Sequence, residues 1–266
     1  MTRVAVVTGA ARGIGAATVR GLAARGWAVL AVDRCADDPA VPYPLGTRSE
    51  LDRVVAGAAA GADDPGAVRA LAADVRDGAA MIEAVSEAER IWGGLDAAVA
   101  VAGVIAGGVP LWEMPLDQQQ AVLDTNLGGV LALARAAVPA LLRRPKPRSG
   151  RFLAVASAAA TRGMPMLAAY SAAKAGVTGL IRAMAAELGG TGVTANAVSP
   201  GSTNTAILAE TARLYGLAAG QSFAAQQPVQ RLLDPEEIAA ALIFLAGEDS
   251  SAMTGAVVPV DGGLAL

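Results

Sequence analysis

Seven short apolar runs, each followed by a stretch with helical spacing, constrain this 266-residue chain more than any other feature. The sequence predicts strands at 3–8, 28–33, 68–73, 95–101, 151–156, 193–198 and 256–260. Each run is rich in Val, Leu or Ala, as strands covered on both faces must be. Helical patterns fall between them at 13–25, 49–60, 78–92, 116–142, 168–188 and 235–245. Such alternation predicts an α/β fold: one parallel sheet, doubly wound, with helices on both faces. "RRPKPRSG" and "GGTG" read as turns within a single domain spanning 1–266, and no repeat of solenoid period is visible.

Composition narrows the function. Apolar residues make up 54% and the formal charge is −3, which argues against a basic nucleic-acid surface or a disordered tail. The most apolar run, Ala97 to Trp112, is too short for a membrane span of ~20 residues and is broken by Gly103, Gly107, Gly108 and Pro110. The first strand begins at once, so no signal peptide is expected. A single cysteine, Cys35, allows no internal disulfide and fits a reducing cytoplasm. There is no histidine at all. Ser-His-Asp hydrolases, papain-like enzymes and common catalytic zinc sites are therefore excluded. No metal is expected, and proton transfer falls to Tyr, Lys, Asp, Glu or Cys.

In an open parallel sheet, ligands bind beyond the carboxyl ends of the strands. After the first strand comes "TGAARGIG", Thr8 to Gly15. Gly9, Gly13 and Gly15 there let a pyrophosphate approach the backbone and a helix N-terminus. An ordinary glycine turn is the plain alternative. No Gly-Lys-Ser/Thr follows, so this is not a Walker loop. The second strand ends in Asp33, where a carboxylate accepts from ribose hydroxyls and repels a 2′-phosphate. That predicts NAD, although Asp33 could be a loop cap and Arg12 and Arg34 lie nearby in sequence. Asp74, ending the third strand, is placed either for the adenine amino group or as a cap.

"YSAAK", Tyr170 to Lys174, puts a phenol and an ammonium on one helix face. A neighbouring ammonium lowers the phenol's pKa toward usefulness as a base. Ser157, at the end of the fifth strand, offers a hydroxyl for a reacting oxygen. Asn126, in the long helix before that strand, offers a relay amide. Each alone has a bland reading as packing, cap, solvated charge or buried amide. Behind a nucleotide loop they form a candidate hydride-transfer site.

With these motifs the chain resembles the short-chain dehydrogenase/reductase family over essentially its whole length. "TGAARGIG", "ADV", Asn126, Ser157, "YSAAK", "SPGSTNT" and the closing "VDGG" carry the likeness. The resemblance implies a seven-stranded Rossmann sheet and a homotetramer built on the long helices. It makes Tyr170 the acid/base, with Lys174 lowering its pKa and binding the nicotinamide ribose. Ser157 would hold the reacting oxygen and Asn126 would support the relay. Cofactor contacts are implied at Gly9, Arg12, Gly13, Ile14, Gly15, Asp33, Arg34, Asp74, Val75, Ala102 and Gly103. Others are implied at Tyr170, Lys174, Pro200, Gly201, Thr203 and Thr205, with a substrate lid over 204–227. One motif departs: the family's Asn-Asn-Ala-Gly is here "AVAG", Ala100 to Gly103, which removes an amide brace from the sheet.

Between Asp33 and the next helix the chain inserts "RCADDPAVPYPLGTR". This resembles the mycofactocin-associated, carveol dehydrogenase-like branch of the family. That likeness implies NAD held without exchange and reducing equivalents passed to mycofactocin, a peptide-derived carrier. Residues 34–48 can fold over the adenosine. Pro39, Pro42 and Pro44 limit the entropy lost on ordering such a flap, and Val41, Tyr43 and Leu45 supply apolar cover. A surface elaboration is the alternative. The lid offers Ile207, Leu208, Leu214, Tyr215, Leu217 and Phe223, which points to a medium-sized hydrophobic secondary alcohol or ketone. An ordinary NAD-exchanging dehydrogenase or ketoreductase is the competing reading. A non-catalytic nucleotide-binding regulator is a third, disfavoured by the presence of Ser157, Tyr170 and Lys174.

Overall fold

A computed structural model describes residues 2–61, 64, 67–218 and 220–266. Seven parallel strands form one sheet in the order β3-β2-β1-β4-β5-β6-β7. They are β1 (Val4–Thr8), β2 (Ala28–Asp33), β3 (Val68–Ala72), β4 (Ala97–Ala100), β5 (Arg151–Val155), β6 (Thr194–Pro200) and β7 (Val257–Val260). Alternating side chains of β1 divide the core: Val4 and Val6 face one apolar layer, Ala5 and Val7 the other. The first layer is completed by α3 (Gly78–Trp92), α5 (Gly129–Arg143) and α6 (Ala168–Glu187). The second is completed by α1 (Gly13–Ala23), α2 (Arg48–Ala60) and α8 (Pro235–Ala246). This is the doubly wound Rossmann arrangement expected from the alternation.

The chain order reverses between β1 and β4, which pair with each other while their connections leave in opposite directions. A crevice therefore opens at their carboxyl ends, where ligands bind in such sheets.

Three expectations move. The strand expected at 193–198 runs Thr194–Pro200, and β4 is shorter than expected at Ala97–Ala100. The single long helix expected at 116–142 is broken into α4 (Leu116–Leu123), a π-helical turn (Asp124–Gly128) and α5. Gly129 begins α5 so close to Val75 that a Cβ would lie 2.6 Å from Val75 Cγ2. A wide turn seats the helix there, and such turns often mark functional sites. The expected lid contains α7 (Ala206–Leu214), capped by the Thr205 side chain, and a 3₁₀ segment over Gly220–Gln226. Ala219, within that lid, lies outside the described residues.

The run 97–112, singled out for its apolarity, is a strand, a loop and a 3₁₀ turn at Leu111–Glu113. The stretch that is long and apolar enough for a span is instead Leu116–Arg143, with mean hydropathy 1.4. Half of it is buried, and it packs against α3 and α6 as a core element of this fold.

Candidate active site

The crevice is a single cleft of about 270 Å³ running from the end of β3 to the lid. Its floor is built by close backbone packing. Gly9 has φ 66°, and a Cβ there would lie 2.6 Å from Ala102 Cα. A Cβ on Gly15 would lie 2.0 Å from the Gly9 carbonyl oxygen. Only glycine allows this turn and the helix start behind it. Arg12 occupies the N-cap of α1 without a side-chain cap, so the helix terminus and its dipole face the cleft. Ile14 opens the helix beside Gly13, and Thr205 Cγ2 sits across from Gly13, where a Cβ would be 3.4 Å away.

Asp33 both lines the cleft and braces it. Its Oδ2 accepts from Ala11 N at 3.0 Å and its Oδ1 from Cys35 N at 3.2 Å. Arg12, Arg34 and Asp74, also expected to meet cofactor, are already engaged. Arg12 donates to the Pro44 carbonyl at 2.8 Å. Arg34 is paired with Asp38 and Asp74. Asp74 does not present a free carboxylate, because Arg76 grips it through Nε and Nη2. Burial pushes the Asp74 carboxyl up, but the side-chain and backbone hydrogen bonds from Arg76, with the Arg76 and Arg34 charges, outweigh it and the net shift is downward. Val75, beside it, is buried against Gly129.

The loop after β4 compensates for the missing asparagines. The Thr8 hydroxyl accepts from Val101 N at 3.2 Å and Ala102 N at 3.4 Å. Asn126, fully buried in the π-helical turn, accepts from Val104 N and donates to Val104 O, both at 2.8 Å. Its amide thus braces the loop, as in the buried-amide reading of the sequence. Gly103 passes between: a Cβ would stand 3.0 Å from Asn126 Oδ1 and 3.7 Å from Lys174 Nζ.

On the opposite wall, Ser157 caps a 3₁₀ turn by accepting from Ala159 N at 3.1 Å. Ser157 and Tyr170 line the same cleft. Burial raises the Tyr170 phenol above its ordinary value, and the neighbouring Ser157 hydroxyl pulls it partly back. Lys174 is buried one helical turn on, with Nζ 5.9 Å from the Tyr170 ring centre. Its ammonium donates to the Val155 carbonyl at 2.8 Å, and burial lowers its pKa to about 8. The ammonium is thus turned to a backbone carbonyl, and burial is the largest influence on the phenol.

Pro200, Gly201, Thr203 and Thr205 form the cleft edge leading into the lid. Gln227 ties this edge together by accepting from Ser202 N at 2.8 Å and donating to Arg231 O at 2.6 Å. Met164, Leu167, Ile207, Leu208, Tyr215 and Phe223 line the outer part. Tyr215 packs edge-on to Phe223 at 6.2 Å and donates to the Pro165 carbonyl at 2.7 Å. Two expected apolar contacts lie elsewhere: Leu214 packs toward Gly108 and Leu217 is exposed. Among the described residues no group of three or more metal-ligating side chains is assembled.

The insert reaches further than the adenosine end. Gly46 lies on Asp33, where a Cβ would be 3.0 Å from Oδ1. Tyr43, however, accepts from Ile105 N at 3.3 Å, in the loop after β4. Val41 is buried in an apolar cluster with Val104, Ala106, Met114, Val122 and Ala169, against which Tyr43 and Tyr170 both pack. Sequence reasoning marked the insert's apolar residues but missed the Tyr43 hydroxyl's partner, Asp38 and Arg76. None of these belongs to a motif, and two of the contacts span long stretches of chain: Tyr43 meets Ile105 and Asp38 meets Arg76.

A family model described as "Enoyl-(Acyl carrier protein) reductase" matches residues 9–265. Cis-4-hydroxycyclohexanecarboxylate dehydrogenase of Sinomonas cyclohexanicum is 37% identical, covering 98% of this chain and 96% of its own. (-)-trans-Carveol dehydrogenase of Rhodococcus erythropolis is 34% identical over 99% and 98% of the two chains. The crystal structure of carveol dehydrogenase from Mycobacterium avium in complex with NAD superposes with TM-score 0.91 at 32% identity, covering 98% of this chain and 97% of that one. The chain belongs to the short-chain dehydrogenase/reductase family.

Proposed function

We propose that this protein is an NAD-dependent dehydrogenase interconverting a hydrophobic secondary alcohol and its ketone. The Ser157 and Tyr170 hydroxyls, on the wall of a cleft that also holds the glycine turn and Asp33, carry this reading. The residues present fit NAD. The cradle formed at Gly9 and Gly15 has no room for a side chain, α1 offers its N-terminus, and Asp33 adds an acceptor. Gly9, Gly13, Ile14 and Gly15 hold the pyrophosphate, and Asp33 the adenosine ribose. Ala102, Gly103, Pro200, Gly201, Thr203 and Thr205 flank the nicotinamide end. NAD, when bound, supplies the hydride acceptor for alcohol oxidation and, reduced, the donor for the reverse.

Ser157 donates to and positions the substrate oxygen. Tyr170 takes the alcohol proton as phenolate or returns it as phenol. Lys174 supplies positive charge behind Tyr170 and holds the nicotinamide ribose. Asn126 acts as a positioning residue through its two bonds to Val104. The apolar outer wall selects a compact hydrophobic substrate, in keeping with the cyclic alcohols named for two relatives.

The finer reading is that NAD stays bound and mycofactocin collects the reducing equivalents. The insert's position across the cleft supports retention, and the family branch suggests the carrier. The same resemblance suggests a homotetramer on α4, α5 and α6, with Leu131 exposed on α5, in the cytoplasm.

The test is to denature purified protein, assay released NAD, and screen hydrophobic secondary alcohols with and without an artificial electron acceptor. Near-stoichiometric NAD and turnover that needs the acceptor are expected. Turnover with added NAD alone returns the protein to cofactor-exchanging dehydrogenases. No oxidation of any alcohol or reduction of any ketone defeats the enzymatic reading.

A further inference from the structure

At the end of the cleft near Asp33, four charged side chains form one network. Arg34 Nη1 meets Asp38 Oδ2 at 2.7 Å, and Arg34 Nε meets Asp74 Oδ2 at 3.3 Å. Arg76 Nη1 meets the same Asp38 oxygen at 2.8 Å, and Arg76 Nη2 meets Asp74 Oδ2 at 2.7 Å. All four residues line the cleft. Asp38 stands between the two guanidiniums, and its side chain is only 10% exposed, so water screens it little. Its other oxygen accepts from Ala40 N at 2.9 Å, which fixes the carboxylate's orientation. Burial alone would push this carboxyl up. The Ala40 bond and the Arg34 and Arg76 charges reverse that, and it titrates below its ordinary value.

Arg34 directly follows the ribose-binding position, where an arginine accommodates the 2′-phosphate of NADP. A pair of guanidiniums is also the preferred receptor for a phosphate dianion. The sequence therefore places NADP-binding cations beside an NAD-selecting acid. We infer that Asp38, a residue of the insert, is a second determinant of cofactor choice: it engages Arg34 and Arg76 and so denies both cations to a 2′-phosphate. This inference rests on the NAD reading above. With Asp38 and Asp74 both charged, the four groups sum to zero. Without the Asp38 charge the network carries one net positive charge at the cleft wall. The insert thus contributes to specificity as well as cover.

Asp38→Asn is nearly isosteric and keeps the oxygen that accepts from Ala40, but its amide cannot accept from either arginine. Equilibrium dialysis with labelled NAD and labelled NADP, continued until the bound fraction is constant, reads both affinities whatever the exchange rate. Wild-type protein should prefer NAD; a wild-type preference for NADP overturns the cofactor reading, and this inference with it, before any variant is made. In Asp38→Asn, NADP should bind about tenfold tighter, the modest end for freeing a charge-assisted phosphate contact, while NAD changes little. Adding Arg34→Leu should abolish the gain. Unchanged NADP affinity in Asp38→Asn, parallel loss of both nucleotides, or a gain that survives Arg34→Leu each overturns the inference. Should Asp38→Asn fail to fold, Arg34→Leu in otherwise wild-type protein decides: NADP binding should be unaffected, and weakening would mean that Arg34 was already available.

Discussion

Replacing Val41 to Leu45 by Gly-Ser-Gly-Ser-Gly keeps the insert's length and leaves Asp38 and Gly46 in place. It removes three measurable things. Val41 is 6% exposed, and burying a valine fully contributes about 1.5–3 kcal/mol. The Tyr43 hydroxyl bond to Ile105 N adds about 0.5–1.5 kcal/mol. Loss of Pro42 and Pro44 raises the disorder of the open insert by about 0.4–1 kcal/mol each. The Arg12 bond goes to the Pro44 main-chain carbonyl and can survive the exchange. The gross loss is about 3–6 kcal/mol on these values. Release feels only the share of contacts that must open for NAD to leave. A third of the total gives about 1–2 kcal/mol, or roughly tenfold faster release.

The assay is a chase of bound NAD with excess labelled NAD on both proteins. Slow exchange in wild type and faster exchange in the variant are expected. Equal and fast exchange in both would leave the insert as decoration. Tyr43→Phe sharpens the test, because it keeps the ring against the cluster shared with Tyr170 and removes only the hydroxyl. Its release should quicken by a few-fold, on the order of one hydrogen bond. The hydride step should be measured alongside, since the insert touches the Tyr170 side of the cleft and is not confined to the adenosine end.

Two further outcomes concern the opposite wall. Tyr170→Phe should lower turnover by at least about a hundredfold while leaving NAD retention near wild type; turnover close to wild type would remove Tyr170 from the acid/base role. Burial holds the Lys174 ammonium near pKa about 8, below its ordinary value of 10.5, so the unfolded chain keeps that proton where the folded one has lost it. Stability should therefore rise with pH between these values. From pH 8 to about 9.5 the gain is roughly 1–2 kcal/mol, read by denaturant unfolding of nucleotide-free protein. Lys174→Met should flatten that rise, and an identical slope in the two proteins would show that Lys174 is not so shifted.

The fold was legible because it is written in local pattern. Each strand covered on both faces is an apolar run, and the helices between them carry matching stripes. The boundaries that moved did so for tertiary reasons. The π-helical turn at Asp124–Gly128 goes with Gly129 passing Val75, a contact no helical periodicity reveals. Tyr170 and Lys174 were legible because a four-residue spacing on one helix brings them together. Ser157 joins them through strand order. What could not be read was the commitment of each polar group. Asn126 looks like a free amide in sequence, but Val104, 22 residues away, takes both its ends. Asp74 looks like an open carboxylate until Arg76 and Arg34 fold onto it. Where the Lys174 ammonium points is likewise left open by spacing: it turns to the Val155 carbonyl.

Those commitments join parts of the cleft that sequence keeps separate. Asn126 fixes Val104, and the next residue, Ile105, donates its N–H to Tyr43 of the insert. Gly103, one residue before Val104, runs between Asn126 and Lys174. At the other end, Asp38 fastens the same insert to Arg76, and Gly46 passes close to Asp33. The insert is therefore anchored to the cofactor-choice end by charge and to the loop beside the reacting groups by one hydroxyl and an apolar cluster. With Asp38 only 10% exposed, salt screens the charged anchor weakly, so a substitution separates the two anchors better than salt does. Asp38→Asn should loosen the end of the insert near Asp33 and leave Tyr43 and Val41 seated, whereas Tyr43→Phe should loosen the loop end and leave the Arg76 contact to Asp74 in place.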